Sequence, residues 1–193
     1  MKYRFHLIAA VVGVILIVTG CAHYTLIEAG KKVEVGQAFM VDPGISWSMA
    51  KENGVIIWTV DGPGLQRLIF FPGIEDGSPL FKASPGQEAE KMPIFEAAMT
   101  LLEVMDLLEA TLVQRQFHQI KEHNLLPLTI GGHEGFWVDF SYASKAGLEY
   151  KGFAAGAIKE RRLYLVMYTG TALHYYEKYA AEAEKIVKSI EFM

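Results

Sequence analysis

Cys21 is the only cysteine in this 193-residue chain, and it lies in the stretch Val18-Thr19-Gly20-Cys21-Ala22. Because a thiolate is a strong nucleophile, redox chemistry, catalysis and covalent modification before folding are the three roles open to it. A lone cysteine excludes a disulfide within the chain. The fold must therefore be stable through its core alone.

A second group of residues has the types that ligate metals: His118, His123, His133 and Glu134. His118 and His123 are five positions apart, which places them about 140° apart on a helix and on opposite faces of a regular strand. His133 and Glu134 are adjacent and diverge on a strand for the same reason. Only an irregular loop within 113–135 would bring these groups to one metal, so the pattern favours exposed polar residues.

No short motif of a common catalytic or nucleotide-binding site occurs in the sequence. G-x-S-x-G, G-x-x-x-x-G-K-[ST] and H-E-x-x-H are all absent, and no cofactor is predicted. One carboxylate, Asp139, is predicted to point outward from a strand beside the aromatic residues Trp137 and Tyr142. Trp137 and Asp139 are therefore candidates for a ligand-facing surface, and binding is favoured over catalysis.

The first twenty residues have the layout of a signal peptide. Lys2 and Arg4 precede an uncharged apolar run over 7–18, and small residues follow it. As a helix this run rises only about 18 Å, short of the roughly 30 Å hydrocarbon core of a bilayer. A permanent membrane span remains the alternative, because the neutral stretch continues to Ile27.

The stretch Val18-Thr19-Gly20-Cys21 resembles the lipobox of bacterial lipoproteins. The resemblance implies that a diacylglycerol is attached to the sulfur of Cys21, that cleavage occurs before Cys21, and that the new amino terminus is acylated. It also implies a periplasmic domain anchored to the membrane through lipid. Ala22, in place of an aspartate, favours the outer membrane. The alternative is an incidental or membrane-buried cysteine.

After a signal peptide over 1–20, the sequence predicts a lipidated tether over 21–32 and a single domain over 33–193. The residues of the tether after Cys21 reach at most about 38 Å when extended, and packing of Leu26 and Ile27 on the domain would shorten it.

The chain has 18 basic and 22 acidic residues, which disfavours nucleic acid as a partner. A hydrophobic fraction of 51% excludes disorder.

The apolar spacing within this domain predicts mainly antiparallel strands and two helices. Strands are expected over 33–41, 45–49, 55–60, 65–71, 136–142, 148–158 and 163–168, and helices over 93–112 and 172–189. Asp61-Gly62-Pro63-Gly64 predicts a hairpin turn. The stretch 113–128 fits helix, strand or loop. On the last helix, the spacing predicts ion pairs of Lys178 with Glu182 and of Glu184 with Lys188.

This order of elements indicates an α+β fold, an antiparallel β-sheet with helices packed on its faces. The tail over 147–192 is similar to the end of PsbP-like domains, with its "LYLVMY" strand and its helix ending in "KSIEF". The stretch "TIGGHEGFWVDFSY" over 129–142 resembles the strand that precedes them. The resemblance implies an α/β/α sandwich, and such domains are scaffolds and binding modules more often than enzymes.

Three hypotheses for function follow. The leading one is a lipid-anchored periplasmic module that binds an envelope protein without catalysis. The second is a small hydrolase or metal-binding protein that uses the histidines over 118–134. The third is a small-ligand carrier that uses the aromatic side of the sheet.

Overall fold

The computed structural model describes residues 24–83 and 86–193. The predicted signal peptide and Cys21 lie outside the described residues. The elements are β1 (Thr25–Ile27), β2 (Val33–Val35), β3 (Phe39–Val41), β4 (Trp47–Glu52), β5 (Val55–Thr59), β6 (Gln66–Ile74), α1 (Leu101–Gln114), β7 (His118–Ile130), β8 (His133–Ala143), β9 (Glu149–Lys159), β10 (Arg162–Thr171), α2 (Tyr175–Lys188) and β11 (Glu191–Phe192). Within these residues, no helix combines the length and apolar character needed to cross a membrane.

The architecture is built around one large antiparallel sheet. Eight strands pair in the order β1-β4-β5-β6-β10-β9-β8-β7, and a small sheet pairs in the order β11-β3-β2. All strand pairings among the described residues are antiparallel. Strands β7 and β1 form the two edges of the large sheet.

Two separate cores lie on the two faces of the large sheet. On one face α2 and the small sheet pack over Trp58, Phe70 and Phe153. On the other face α1 and the preceding loop pack over Phe71, Phe136 and other apolar side chains. This is the α+β sandwich that the sequence predicts, and the prediction is confirmed.

The buried centre of strand β9 consists mostly of small residues, which lets the neighbouring strands and the two cores pack closely against it. Positions 152–157 are all buried, and five of the six are glycine or alanine. A Cβ on Gly152 would lie 2.6 Å from the carbonyl oxygen of Tyr168, and a Cβ on Gly156 would lie 2.6 Å from that of Tyr164. Side chains at these positions would push neighbouring strands apart.

Helix α1 begins later than the spacing predicts. Thr100 forms a capping box with Glu103: the Glu103 amide donates to the Thr100 hydroxyl, and the Thr100 amide donates to the Glu103 carboxylate. The segment before it is held as a loop, because the amide of Phe95 donates to the carbonyl of Ser78. The predicted helix over 93–112 is therefore wrong at its start by about two turns.

Three further differences concern the first third of the chain. The predicted strand over 33–41 is two strands, because Gly36 and Gln37 adopt positive φ and turn the chain. The strand predicted over 45–49 is β4, which extends to an Asn53-Gly54 turn with positive φ at both residues. Thr25–Ile27 form β1 inside the predicted tether, so the sheet begins before residue 33. The hairpin of β5 with β6 is confirmed.

The ambiguous stretch 113–128 is the end of α1 and most of β7. Helix α2 is confirmed, and Lys188 pairs with Glu184 at 3.3 Å as predicted. The predicted pair of Lys178 with Glu182 is not formed. Lys178 instead donates to Asp61 at 2.8 Å, while Glu182 pairs with Lys185.

Asp61 ties the β5–β6 turn to α2. Its Oδ2 accepts hydrogen bonds from Lys178 Nζ at 2.8 Å and from the hydroxyl of Tyr179 at 2.7 Å. These two donors hold the pKa of the Asp61 carboxyl below its usual value. The stabilisation is therefore present above the ordinary carboxyl pKa of about 4 and is lost as the pH falls through the lower folded-state pKa.

We expect Asp61→Asn to lower the free energy of unfolding by about 1 kcal/mol at pH 7, since the contact is partly exposed to solvent. The difference from wild type should shrink as the pH is lowered towards 3. Urea denaturation at the two pH values measures it. Glu149→Gln, which removes an exposed carboxylate, is the control, and equal losses in both variants would contradict the assignment.

Candidate binding surface

Helix α2 leaves part of its sheet face uncovered. It packs against β10, β9 and β6, whereas Trp137 and Asp139 of β8 are only partly buried on the same face. Leu126 of the edge strand β7 lies in register with Trp137 and is 54% exposed. We call Asn124, Leu126, Trp137, Asp139 and Tyr176 the Trp137 surface.

The indole of Trp137 is fixed on this surface by stacking and by a hydrogen bond. Its ring lies 4.1 Å from that of Phe153, centroid to centroid, with an interplanar angle of 21°. Its Nε1 donates to Oδ1 of Asp139 at 2.8 Å. Phe153 is fully buried, so the tryptophan rests on the core rather than on a mobile side chain.

The second oxygen of Asp139 is also engaged. Asn124 Nδ2 donates to Oδ2 at 3.1 Å. Both carboxylate oxygens thus accept bonds from neighbouring side chains, and Asp139 acts as the brace of the Trp137 ring. The two residues that the sequence singles out are brought together, with Trp137 as the contact group and Asp139 as its support.

A β-bulge in β7 brings Asn124 to Asp139. The register advances from the pair His123–Asp139 to the pair Leu126–Trp137, so β7 has one more residue than β8 over this interval. Asn124 has a φ of 48°, a left-handed conformation that asparagine tolerates better than most residues. An asparagine in the middle of a strand was the only sequence signal for this support.

Tyr176, in the first turn of α2, borders the surface on its helix side. Burial raises the pKa of its phenol to about 12, and the nearby Asp139 carboxylate adds to the effect. Because its pKa is raised, the tyrosine hydroxyl stays protonated at neutral pH. Lys151 pairs with Glu177 at 3.1 Å and lies 5.7 Å above the Tyr176 ring.

The candidate metal ligands are distributed along β7 and β8. His118 is in register with Ala143 and His123 with Asp139, so the two histidines are four β8 positions apart. A bulge with positive φ at Gln119 places both on the same face, and the predicted opposite faces are wrong. Across the described ranges 24–83 and 86–193, no three His, Cys, Asp or Glu side chains cluster as metal ligands would.

The other two candidates lie at the start of β8 and point to opposite faces, as the sequence predicts. The His133 ring packs edge-on against Phe192 at 5.4 Å. Glu134 is exposed and in register with Thr129. His133 is thus a packing residue of the small sheet, and Glu134 is a surface carboxylate.

We expect Asp139→Ala to release Trp137, because the indole loses its acceptor while Phe153 still supports it from below. The free energy of unfolding should fall by about 1–3 kcal/mol, and tryptophan emission should move to longer wavelength. Chemical denaturation and fluorescence spectra measure the two effects. Ser141→Ala, on the same strand and face, should change neither, and a comparable red shift in that variant would contradict the bracing role.

No protein-family model matches the sequence, and no curated protein matches it either. Among solved structures, the chain is similar to cyanobacterial PsbP (CyanoP) from Synechocystis sp. PCC 6803. The TM-score is 0.54 at 11% identity, over 91% of this chain and 96% of that one. This likeness concerns the fold, and it confirms the predicted PsbP-like sandwich.

Two other structures align less closely. PA94 of Pseudomonas aeruginosa, a protein of unknown function, gives a TM-score of 0.45 at 16% identity over 84% of this chain and 94% of that one. LpqN, involved in cell envelope biogenesis of Mycobacterium tuberculosis, gives 0.37 at 9% identity over 91% and 87% of the two chains.

Proposed function

We propose that this protein is a lipid-anchored module of the bacterial cell envelope that binds a protein partner through the Trp137 surface. The observation that carries the proposal is the immobilised, partly exposed indole of Trp137, held by Phe153 and Asp139. A rigid aromatic side chain loses little conformational entropy on binding, and tryptophan is enriched at the centres of protein interfaces.

Binding is proposed rather than catalysis because Asp139 and Tyr176, the two ionisable residues that define the Trp137 surface, are poorly suited to react. The Asp139 oxygens already accept two hydrogen bonds. The phenol of Tyr176 has a pKa of about 12, so at neutral pH it is a hydrogen-bond donor and a poor base. Such groups suit recognition of a partner's backbone or polar side chains.

The envelope location is supported by the sequence alone. The lipobox-like Val18-Thr19-Gly20-Cys21 supports lipidation at Cys21, with the domain in the periplasm. Ala22 after the cysteine supports the inner leaflet of the outer membrane. Acyl chains contribute about 0.8 kcal/mol for each buried CH₂, so two or more chains anchor the protein stably.

Site-specific photocrosslinking in living cells tests the proposal. A photoreactive phenylalanine at Leu126, on the Trp137 surface, should give a discrete crosslinked product in the membrane fraction. The same group at Leu173, which is 98% exposed in the turn before α2, is the control and should not give that product. The product should disappear in the Trp137→Ala background. Identical products from both positions would refute the proposal that the partner binds at the Trp137 surface.

A further inference from the structure

The opposite face of the large sheet carries a small cavity lined by cations. Its volume is about 100 Å³, and apolar side chains of β5 and β6 form its floor. Arg67 of β6, Lys82 of the following loop and Arg115 at the end of α1 line it, together with Asn53 and Glu52 of the β4–β5 hairpin. Three elements distant in sequence thus bring basic side chains to one place.

Arg115 is held in position by an aromatic ring. Its guanidinium carbon lies 4.4 Å from the centroid of the Phe81 ring, which itself packs edge-on against Phe71 of the core. Burial lowers the pKa of Arg115 from its ordinary value, and the like charge of Arg67 lowers it further. The guanidinium is therefore fixed close to a second cation.

The charges around this cavity are not balanced by ion pairs. Over residues 24–83 and 86–193, the ion pairs within 4.0 Å include none formed by Arg67, Lys82 or Arg115. Two other arginines are paired directly: Arg161 with Asp76 at 2.7 Å and Arg162 with Glu75 at 2.8 Å. Glu52 is the one carboxylate lining the cavity, against three cations.

We propose that this cavity binds a phosphate group, with Arg67 and Arg115 as its main ligands and Lys82 at its mouth. Planar guanidinium groups bind the oxygens of phosphate in bidentate pairs. An anion between the two arginines would also relieve their repulsion. The volume is well below the roughly 300 Å³ at which sites for larger ligands begin, so one oxyanion group is the part that enters.

The phosphate comes either from solution or from a lipid headgroup, and the cavity lies at the β4–β5 turn, the end of the sheet at which β1 begins. Strand β1 runs antiparallel to β4 with Thr25 opposite Met49, so the chain towards Cys21 leaves on the side of the β4–β5 turn. Cys21 is four residues from Thr25, at most about 14 Å of chain. The headgroup source rests on the proposed lipid anchor, whereas the binding site does not.

Calorimetric titration of the full chain in detergent with inorganic phosphate tests the site. Wild type should bind one phosphate, and the melting temperature should rise with phosphate concentration. Arg67→Gln and Lys82→Met should each weaken binding, Arg67→Gln by about tenfold or more because a charged hydrogen-bond donor is lost. The paired variant Arg161→Gln with Arg162→Gln is the matched control and should bind like wild type.

Absence of phosphate binding by folded wild type overturns the proposal, as does equal weakening in the control variant. Binding of both inorganic phosphate and monomeric dihexanoyl phosphatidylglycerol supports a site open to headgroups, and binding of inorganic phosphate alone supports a free anion as ligand. The Cys21→Ser chain should bind inorganic phosphate normally, which separates failure of the anchor from failure of the site.

Discussion

Replacing Cys21 by serine is expected to abolish lipid attachment completely. A serine hydroxyl is not ionised at neutral pH, whereas the cysteine sulfur can react as a thiolate, so the diacylglycerol would not be transferred. Wild-type protein should start at Cys21 and carry the mass of its acyl chains. The Cys21→Ser protein should retain residues 1–20 and carry no acyl mass.

Intact mass spectrometry and metabolic labelling with a radioactive fatty acid measure this effect. Membrane association alone is a poorer readout, because the retained apolar run over 7–18 can still bind a bilayer. Thr19→Ala, which exchanges one small residue for another beside the cleavage position, is the control and should be processed like wild type. Acylation of the Cys21→Ser protein would refute the assignment.

The largest loss of stability is expected for Trp58→Ala. Trp58 is fully buried on β5, with its ring 4.9 Å from that of Phe70 and 6.2 Å from that of Trp47. Truncation leaves a cavity beside the rings of Phe70 and Trp47, and the free energy of unfolding should fall by about 3–5 kcal/mol. A domain of this size should then melt roughly 10 °C lower.

Trp58→Phe should cost only about 1–2 kcal/mol, because most of the apolar contact is kept. It also removes an indole N–H that has no hydrogen-bond partner among the described residues. Urea denaturation followed by circular dichroism compares the two variants. Equal losses would contradict the packing explanation.

The last third of the chain could be predicted well because its signals are local. Phe136, Val138, Phe140 and Tyr142 alternate along β8 and are all buried, so the strand and its inward face follow from period two alone. Helix α2 likewise shows its buried stripe directly in the sequence. In each of these elements, the apolar spacing along the chain matches the face that the fold buries.

The start of α1 could not be predicted because a distant contact overrides the local pattern. Phe95 continues the helical spacing, yet it is buried by pairing of its backbone with Ser78 rather than by a helical turn. A period measured along the chain does not distinguish these two ways of burying one side chain. The Thr100–Glu103 capping box was the available local signal for the true start.

The candidate sites, too, depend on contacts between distant parts of the chain that a local pattern does not reveal. Trp137 and Asp139 are two residues apart on one strand, so their common face could be predicted. Asn124 reaches them only because a bulge shifts the register of β7, and Tyr176 only because α2 lies across the sheet. The meeting of Arg67 with Arg115 likewise depends on where α1 ends over β6, which the sequence does not record.

The position of β1 has a mechanical consequence for an anchored protein. β1 is three residues long and lies at the edge of the sheet, where it pairs only with β4. Tension applied through Cys21 would act first on the Thr25–Met49 pair. It would then separate β1 from β4 one residue pair at a time. With β1 paired, the four Cα–Cα steps from Cys21 to Thr25 span at most about 14 Å. With β1 detached, the eleven steps from Cys21 to Lys32 span at most about 38 Å.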